Sequence, residues 1–294
     1  MHSIKSSSLM VHKFNKQVFG LNHTYLNLNS FVFPIFLTQF SFYHQGNYGN
    51  YTITLEIIII NCLLFAIMKE IMMGEGIRLI SGTIDSIRVG KPTPLQYKNK
   101  IVQSAIYKDE VHQPIHVSKN NLEGDEQSDL KHHGGPDKAI CVYPTEHYKY
   151  WSEKTGQLFQ AGDFGENLTL SGLTEDKVAI GDILKVEECL FQVTQPREPC
   201  YKIAARHKIE QLPNWIRITG YSGYYLRVLK EGVLTKGSTI EIIERDPQRI
   251  TIAYANQIMH HDSGNVEAIH KILSMDALSE SWKKQFSKKL TLLK

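Results

Sequence analysis

Cysteine is scarce and scattered in this chain of 294 residues: four in all, at positions 62, 141, 189 and 200, with no CxxC pair. That spacing excludes the usual iron–sulfur ligand pattern and a secreted disulfide scaffold, and it fits a reducing, cytoplasmic setting. No Rossmann GxGxxG follows any strand pattern, so the chain offers no internal nicotinamide or flavin site of that kind. A GxSxG elbow is missing too. Gly220-Tyr221-Ser222-Gly223-Tyr224 fails at its last position, which removes the serine-hydrolase reading. Charge of one sign is not in excess: Lys plus Arg is 33, Asp plus Glu is 30, and the net charge is +3. Such a balance gives no general field for a nucleic-acid polymer or an anionic membrane, so any anion site must be local. Long apolar runs are lacking as well. The nearest, Ile53 to Met68, contains Glu56 and Asn61 and falls short of the roughly 20 residues that span a bilayer. No membrane association is expected.

What is present divides at about Met73. Residues 1–71 carry only Lys5, Lys13, Lys16, Glu56, Lys69 and Glu70 as formal charges, are rich in Asn, Ile, Phe and Tyr, and show no sustained periodicity and no motif. Residues 1–72 are therefore read as an N-terminal extension, from a mis-chosen start codon ahead of Met72 and Met73 rather than an anchor. Beyond it, short strands are expected at Leu79–Arg88, Ile101–Ile106, Ala139–Tyr143, Val178–Val186, Leu190–Gln195, Tyr224–Leu229 and Thr239–Glu244, rich in β-branched and aromatic residues. Strands so spaced predict a barrel or closed sandwich. Two helical insertions are expected, Thr145–Lys154 with Thr145 as its cap, and Tyr201–His207. After Asp246-Pro247 the texture becomes helical, near Thr251–Met259, Asn265–Ser274 and Ser279–Leu290. The fold class is thus mainly β and barrel-like with helical insertions over 73–245, followed by a small all-α three-helix domain over 246–294.

Three segments carry candidate chemistry. Lys131-His132-His133-Gly134-Gly135-Pro136-Asp137-Lys138 precedes a strand, and its two glycines let the backbone take positive φ or approach a ligand closely. An ordinary Gly-Gly-Pro turn with solvated His and Lys is the plainer alternative. Gly162-Asp163-Phe164-Gly165-Glu166-Asn167 contains a DFG triplet without the other kinase motifs, and taken alone it reads as a turn entering a strand. Most specific is Pro196-Arg197-Glu198-Pro199-Cys200-Tyr201-Lys202. Pro196 ends a strand, Pro199 suits a helix start, and Cys200 stands where oriented N–H groups, Arg197 and Lys202 favour its thiolate, a soft ligand. Cys141 and Cys189 lie in apolar strand patterns and read as small buried hydrophobes. The adjacent pairs His132-His133 and His260-His261 lack the i, i+4 spacing of a helical zinc site.

These segments together, in this order, resemble the MOSC domain, named for the C-terminal domain of molybdenum-cofactor sulfurase. Asp129 to Trp151 is similar to the family's first block, Gly162 to Leu173 to its Phe-Gly-Glu-Asn block and Val193 to Cys200 to its cysteine block, with Gly181-Asp182 between. The helical tail is similar to that of YiiM-type members, and the resemblance covers about Gly76 to Leu290. It implies a barrel with a three-helix domain, the molybdenum cofactor (molybdopterin-bound Mo) with Cys200 as metal ligand, and an oxidoreductase reducing N-hydroxylated compounds such as N-hydroxylaminopurines. The family is also associated with pyridoxal phosphate binding. On that footing Cys200, His133 and Glu166 are the catalytic candidates, with His133 and Glu166 on the substrate face. Gly134, Gly135, Lys138, Asn167, Arg197 and Lys202 are the cofactor-binding candidates, the three cations meeting the pterin phosphate. The partners expected are a small-molecule substrate and an external electron-donor reductase. The competing function is a sulfur or cofactor carrier that uses a Cys200 persulfide or thiolate.

Overall fold

The computed structural model describes residues 80–128 and 134–293, together with two short strands, β1 (Thr24–Leu28) and β2 (Phe31–Ile35), which pair antiparallel. These fall into two compact units, 1–74 and 75–294. The apolar run at Ile53–Met68 and the residues Asp129 to His133 lie outside the described residues. Among the described residues no helix is long and apolar enough to cross a membrane.

In the second unit the strands in chain order are β3 (Ser81–Val89), β4 (Thr93–Tyr97), β5 (Lys100–Ser104), β6 (Asp109–Glu110), β7 (Ile115–Val117), β8 (Ile140–Pro144), β9 (Leu168–Ser171), β10 (Ile183–Val186), β11 (Cys189–Pro196), β12 (Tyr224–Lys230), β13 (Gly232–Leu234) and β14 (Thr239–Glu244). The helices are α1 (His147–Thr155), α2 (Tyr201–His207), α3 (Leu212–Thr219), α4 (Ile252–His260), α5 (Val266–Leu273) and α6 (Glu280–Leu292). Strands run β14-β10-β11-β12-β8-β9-β3, and β14 pairs back onto β3 to close a seven-stranded barrel. Closure leaves these strands no free edge. The period-two pattern read in the sequence fills the interior: Ile140 and Val142, Leu168 and Leu170, Leu184 and Val186, Phe191 and Val193, Leu226 and Val228, Ile240 and Ile242 are all buried in one cluster.

One pair, β8 with β9, is parallel. A parallel neighbour needs a crossover, and α1 with the turn at 162–167 supplies it. That crossover covers the outer face of β8, so Cys141 and Tyr143, which point away from the barrel interior, are buried too. Tyr143, Trp151, Phe159, Phe164 and Ile216 make a second apolar cluster there, with Tyr143 stacked on Phe164 at 4.1 Å between ring centroids.

Some local expectations shift. Helix α1 starts at His147, and Thr145 does not cap it: its hydroxyl donates to Asp85 at 2.5 Å instead. Only Ile183–Val186 of the expected strand at 178–186 is extended. Gly181 sits at φ 91° and Asp182, wholly buried, accepts from the Ala179 and Asp246 N–H groups and pairs with Arg245 at 3.0 Å, which makes a turn of the preceding residues. Helix α3 had no counterpart in the sequence reading. It is eight residues long with Pro213 in its first turn and only Leu212, Pro213 and Ile216 buried, too short to show a periodic stripe. The three terminal helices start where expected: Thr251, Asn265 and Ser279 each accept a backbone N–H with the side chain as N-cap. Ile252, Ile258, Ile269, Ile272, Trp282 and Phe286 from these helices belong to the same apolar cluster as the barrel interior.

Candidate functional site

The three motif segments converge on the outer face of β8 and β12. Cys141 and Tyr225 are cross-strand partners there, and Gln195 on β11 is the next partner of Tyr225. Against this floor lies an open cleft, lined by Lys138, Cys141, Asn167, Arg197, Cys200 and Lys202 together with 104–106, Lys108 and 125–128. Four cationic side chains line it, Lys108, Lys138, Arg197 and Lys202, against Asp125 and Glu126. A chain with almost no net charge thus concentrates positive charge at one place.

Each block reaches the cleft by a backbone device. Gly135 holds φ 93° with open space where a Cβ would stand, and it precedes the single 3₁₀ turn Pro136–Lys138 that sets Lys138 on the floor. Lys138 is buried, with its ammonium 6.0 Å from the centre of the Tyr225 ring. Gly165 holds φ 72°, and a Cβ on it would lie 2.8 Å from Ile106 Cγ1 and 3.1 Å from the Ile106 carbonyl. Replacing it with alanine imposes both a left-handed backbone and a steric overlap. Gly165→Ala is expected to lower unfolding free energy by about 1–3 kcal/mol, read by urea denaturation. Cys200 occupies the N-cap of α2 in extended geometry, and its side chain makes no capping bond, so the thiol is not consumed by the helix.

The electrostatics single out Arg197. It is 8% exposed, and while its Nη2 donates to the Phe164 carbonyl, its Nη1 has no partner. An unpaired, buried, charged donor costs several kcal/mol, of the order of a broken buried ion pair. Its place on the cleft wall suits an anionic group that would satisfy it. Burial pushes the Cys141 thiol up, with Arg197 pulling it down less strongly, so Cys141 stays protonated. Burial likewise pushes the Tyr225 hydroxyl up. The Lys202 ammonium donates to the Gln103 carbonyl and to Ser128, both at 3.0 Å, and so bridges the rim.

The sequence-derived site separates into parts. Cys200, Lys138, Arg197, Lys202 and Asn167 come together. Asn167 is also a structural clip, accepting from Cys141 N at 3.1 Å and donating to Asp125 at 2.9 Å and to the Arg88 carbonyl at 3.2 Å. Gly134 and Gly135 shape the loop but do not line the cleft. Glu166 is a correction. It is fully buried, and its two oxygens accept from Tyr148, Thr169, Gly162 N and Phe164 N. A carboxylate so saturated cannot face a substrate; it locks the turn. His147 is also spent internally, on Glu175 at 2.6 Å. His133 lies outside the described residues. Sequence reasoning missed Cys141, Tyr225, and the buried Lys108–Asp125 pair. Only the outward face of β8 could have signalled Cys141.

Among the described residues no group of three or more His, Cys, Asp or Glu side chains could hold a metal ion. Among those residues Cys200 is thus not part of a preformed metal-ligand cluster.

A closed barrel with this loop constellation, followed by three capped helices, defines a class that the comparisons identify. The MOSC-domain model matches residues 129–241, and the model of the YiiM-like 3-alpha helix domain matches residues 250–291. The chain is 44% identical over 204 residues to the uncharacterized protein YflK of Bacillus subtilis, which spans 69% of this chain and 92% of that protein. The crystal structure of YiiM from Geobacillus stearothermophilus matches with a TM-score of 0.62 at 44% identity, covering 71% of this chain and 99% of that one. A protein named Reductase from Gibberella moniliformis is 38% identical over 149 residues, 49% of this chain but 26% of that protein. The chain belongs to the MOSC family, as a YiiM-like member with the three-helix domain. MOSC domains are associated with binding of the molybdenum cofactor, and the family together with the reductase-named relative supports oxidoreductase-type activity.

Proposed function

We propose that the chain is a molybdenum-cofactor-dependent reductase of N-hydroxylated compounds, such as N-hydroxylaminopurines. The observation that carries this reading is the pairing, in one cleft, of an uncommitted thiol at Cys200 with the partnerless Nη1 of buried Arg197. One is a soft metal ligand and the other an anchor for an anion, and a metal held by an anionic organic cofactor needs both. The residues present therefore fit the group.

Cys200 would hold the metal. Arg197, Lys138 and Lys202 would hold the anionic part of the cofactor. When bound, the cofactor supplies two-electron reduction with transfer of an oxygen atom from the substrate. Converting an N–OH group to N–H consumes two electrons and two protons and releases water. The chain's own share is to seat the substrate over the cleft, keep bulk water out and deliver a proton. With Glu166 locked in its turn, His133 is left as the proton donor, because an imidazole titrates near working pH. The electrons come from an external reductase.

The test incubates molybdenum-loaded protein with chemically reduced viologen and 6-N-hydroxylaminopurine and follows adenine. Adenine formation is expected, and His133→Ala is expected to slow it roughly 10²-fold, the loss typical of a missing general acid. No adenine, and no amine from simpler hydroxylamines, with sulfane sulfur found on Cys200, would replace the reductase by a carrier.

A further inference from the structure

Two of the segments that build the cleft are tied together from outside, by the first turn of α6. Ser279 is fully buried and its hydroxyl donates to Gln195 Oε1 at 2.5 Å while accepting from Trp282 N at 3.2 Å. The Ser281 hydroxyl donates to the same Gln195 oxygen at 2.7 Å. Gln195, 2% exposed, uses its amide Nε2 to hold the Pro196 carbonyl at 2.8 Å, one residue before Arg197. The neighbouring Ser279 N–H donates to the Thr194 carbonyl at 3.3 Å. On the other loop, the Glu280 N–H donates to Asp137 Oδ2 at 3.1 Å, one residue before Lys138. Asp137 is steadied by Arg227 through Nε at 3.1 Å and Nη2 at 2.6 Å, and its carbonyl accepts from Thr194 Oγ1 at 2.6 Å.

We propose that the Ser279-Glu280-Ser281 turn is a clasp, and that Gln195 and Asp137 are positioning residues through which the three-helix domain sets the geometry of the cleft. An ordinary helix cap needs one side-chain acceptor. Here, besides that cap bond, two hydroxyls and two backbone N–H groups are directed onto the two segments that lead to Arg197, Cys200 and Lys138. The two serine bonds to Gln195 are buried and half-buried, where a hydrogen-bond network holds its members more rigidly than it does in water, and the Glu280 bond to Asp137 lies at the exposed edge. The helical domain thereby becomes part of the site rather than an appended cap. That the cleft takes a cofactor rests on the reading above; that the clasp orders the cleft does not.

The readout follows from that separation. In cofactor-free full-length protein, the alkylation rate of each cysteine by iodoacetamide is mapped by peptide mass spectrometry. In Ser279→Ala/Ser281→Ala the Cys200 rate is expected to change roughly tenfold, as local loosening of a loop does, while Cys189 in the barrel core keeps its rate. The Ser279→Thr/Ser281→Thr variant retains both hydroxyls and is expected to restore the wild-type rate. If the double alanine variant does not fold, Asp137→Asn gives the milder test with the same readout. An unchanged Cys200 rate, or a parallel rise at Cys189 that tracks global unfolding, would overturn the clasp. Molybdenum content, measured separately, reports on the cofactor reading: a changed Cys200 rate in a protein that never binds molybdenum would leave the clasp standing and remove that reading.

Discussion

Cys200→Ser is expected to leave a folded protein that no longer retains molybdenum. The two halves of that outcome have different causes. Serine is among the best N-cap residues, and Cys200 stands at the N-cap of α2 without a side-chain cap bond, so the exchange does nothing against the helix. Metal retention depends on softness rather than shape: a thiolate donates to a soft or high-valent metal as a neutral hydroxyl cannot. Cys189 supplies the control. It is wholly buried, and its thiol lies 3.6 Å from the Val233 carbonyl as a weak donor; burial pushes it up to about 11. Cys189→Ser is expected to cost about 1 kcal/mol of stability and to bind as much molybdenum as wild type. Metal analysis of both proteins from a cofactor-competent host decides the matter. Wild-type molybdenum in Cys200→Ser would remove the proposed ligand and the reading built on it.

Most of the barrel was legible because the information for it is local. Alternation of apolar residues on β8 to β12 and β14, and capping residues at Thr251, Asn265 and Ser279, are signals carried by a few neighbouring positions. Cys200, Arg197 and Lys202 were legible for the same reason, since Pro196 and Pro199 fix the backbone around them. What was not legible depends on the third dimension. Glu166 reads as an acid beside a glycine turn, and nothing in sequence shows that Tyr148, Thr169 and two backbone N–H groups close around it. Cys141 reads as core, and it is buried, but only the crossover from β8 to β9 shows that it faces the cleft. The clasp joins residues near 137, 195 and 280, and no periodicity connects positions so far apart. His133, the proton donor proposed for the reaction, rests on the sequence alone.

The buried pair in the cleft wall gives the largest stability change expected. Asp125 is 2% exposed and does three things at once. Its Oδ1 accepts from the Gly90 N–H at 2.8 Å and pairs with the Lys108 ammonium, and its Oδ2 accepts from Asn167 Nδ2 at 2.9 Å. Asn167 in turn holds Cys141 N at 3.1 Å, so one carboxylate connects the cleft wall to its floor. Asp125→Ala strands a lysine whose side chain is 5% exposed, leaves the Gly90 N–H unpaired and takes from Asn167 Nδ2 one of its two acceptors, the Arg88 carbonyl remaining. Removing one partner of such a pair is expected to cost about 3–5 kcal/mol, far more than the pair contributes relative to apolar residues of the same size. Lys108→Met/Asp125→Leu removes both charges and is therefore expected to be more stable than Asp125→Ala, although the Gly90 N–H stays unpaired in it and Asn167 keeps only its bond to the Arg88 carbonyl. Urea denaturation of the wild type, the single variant and the double variant tests this. A loss below about 1 kcal/mol for Asp125→Ala, the range of a surface ion pair, would show that Lys108 reaches water and that this wall is not a closed, dry support.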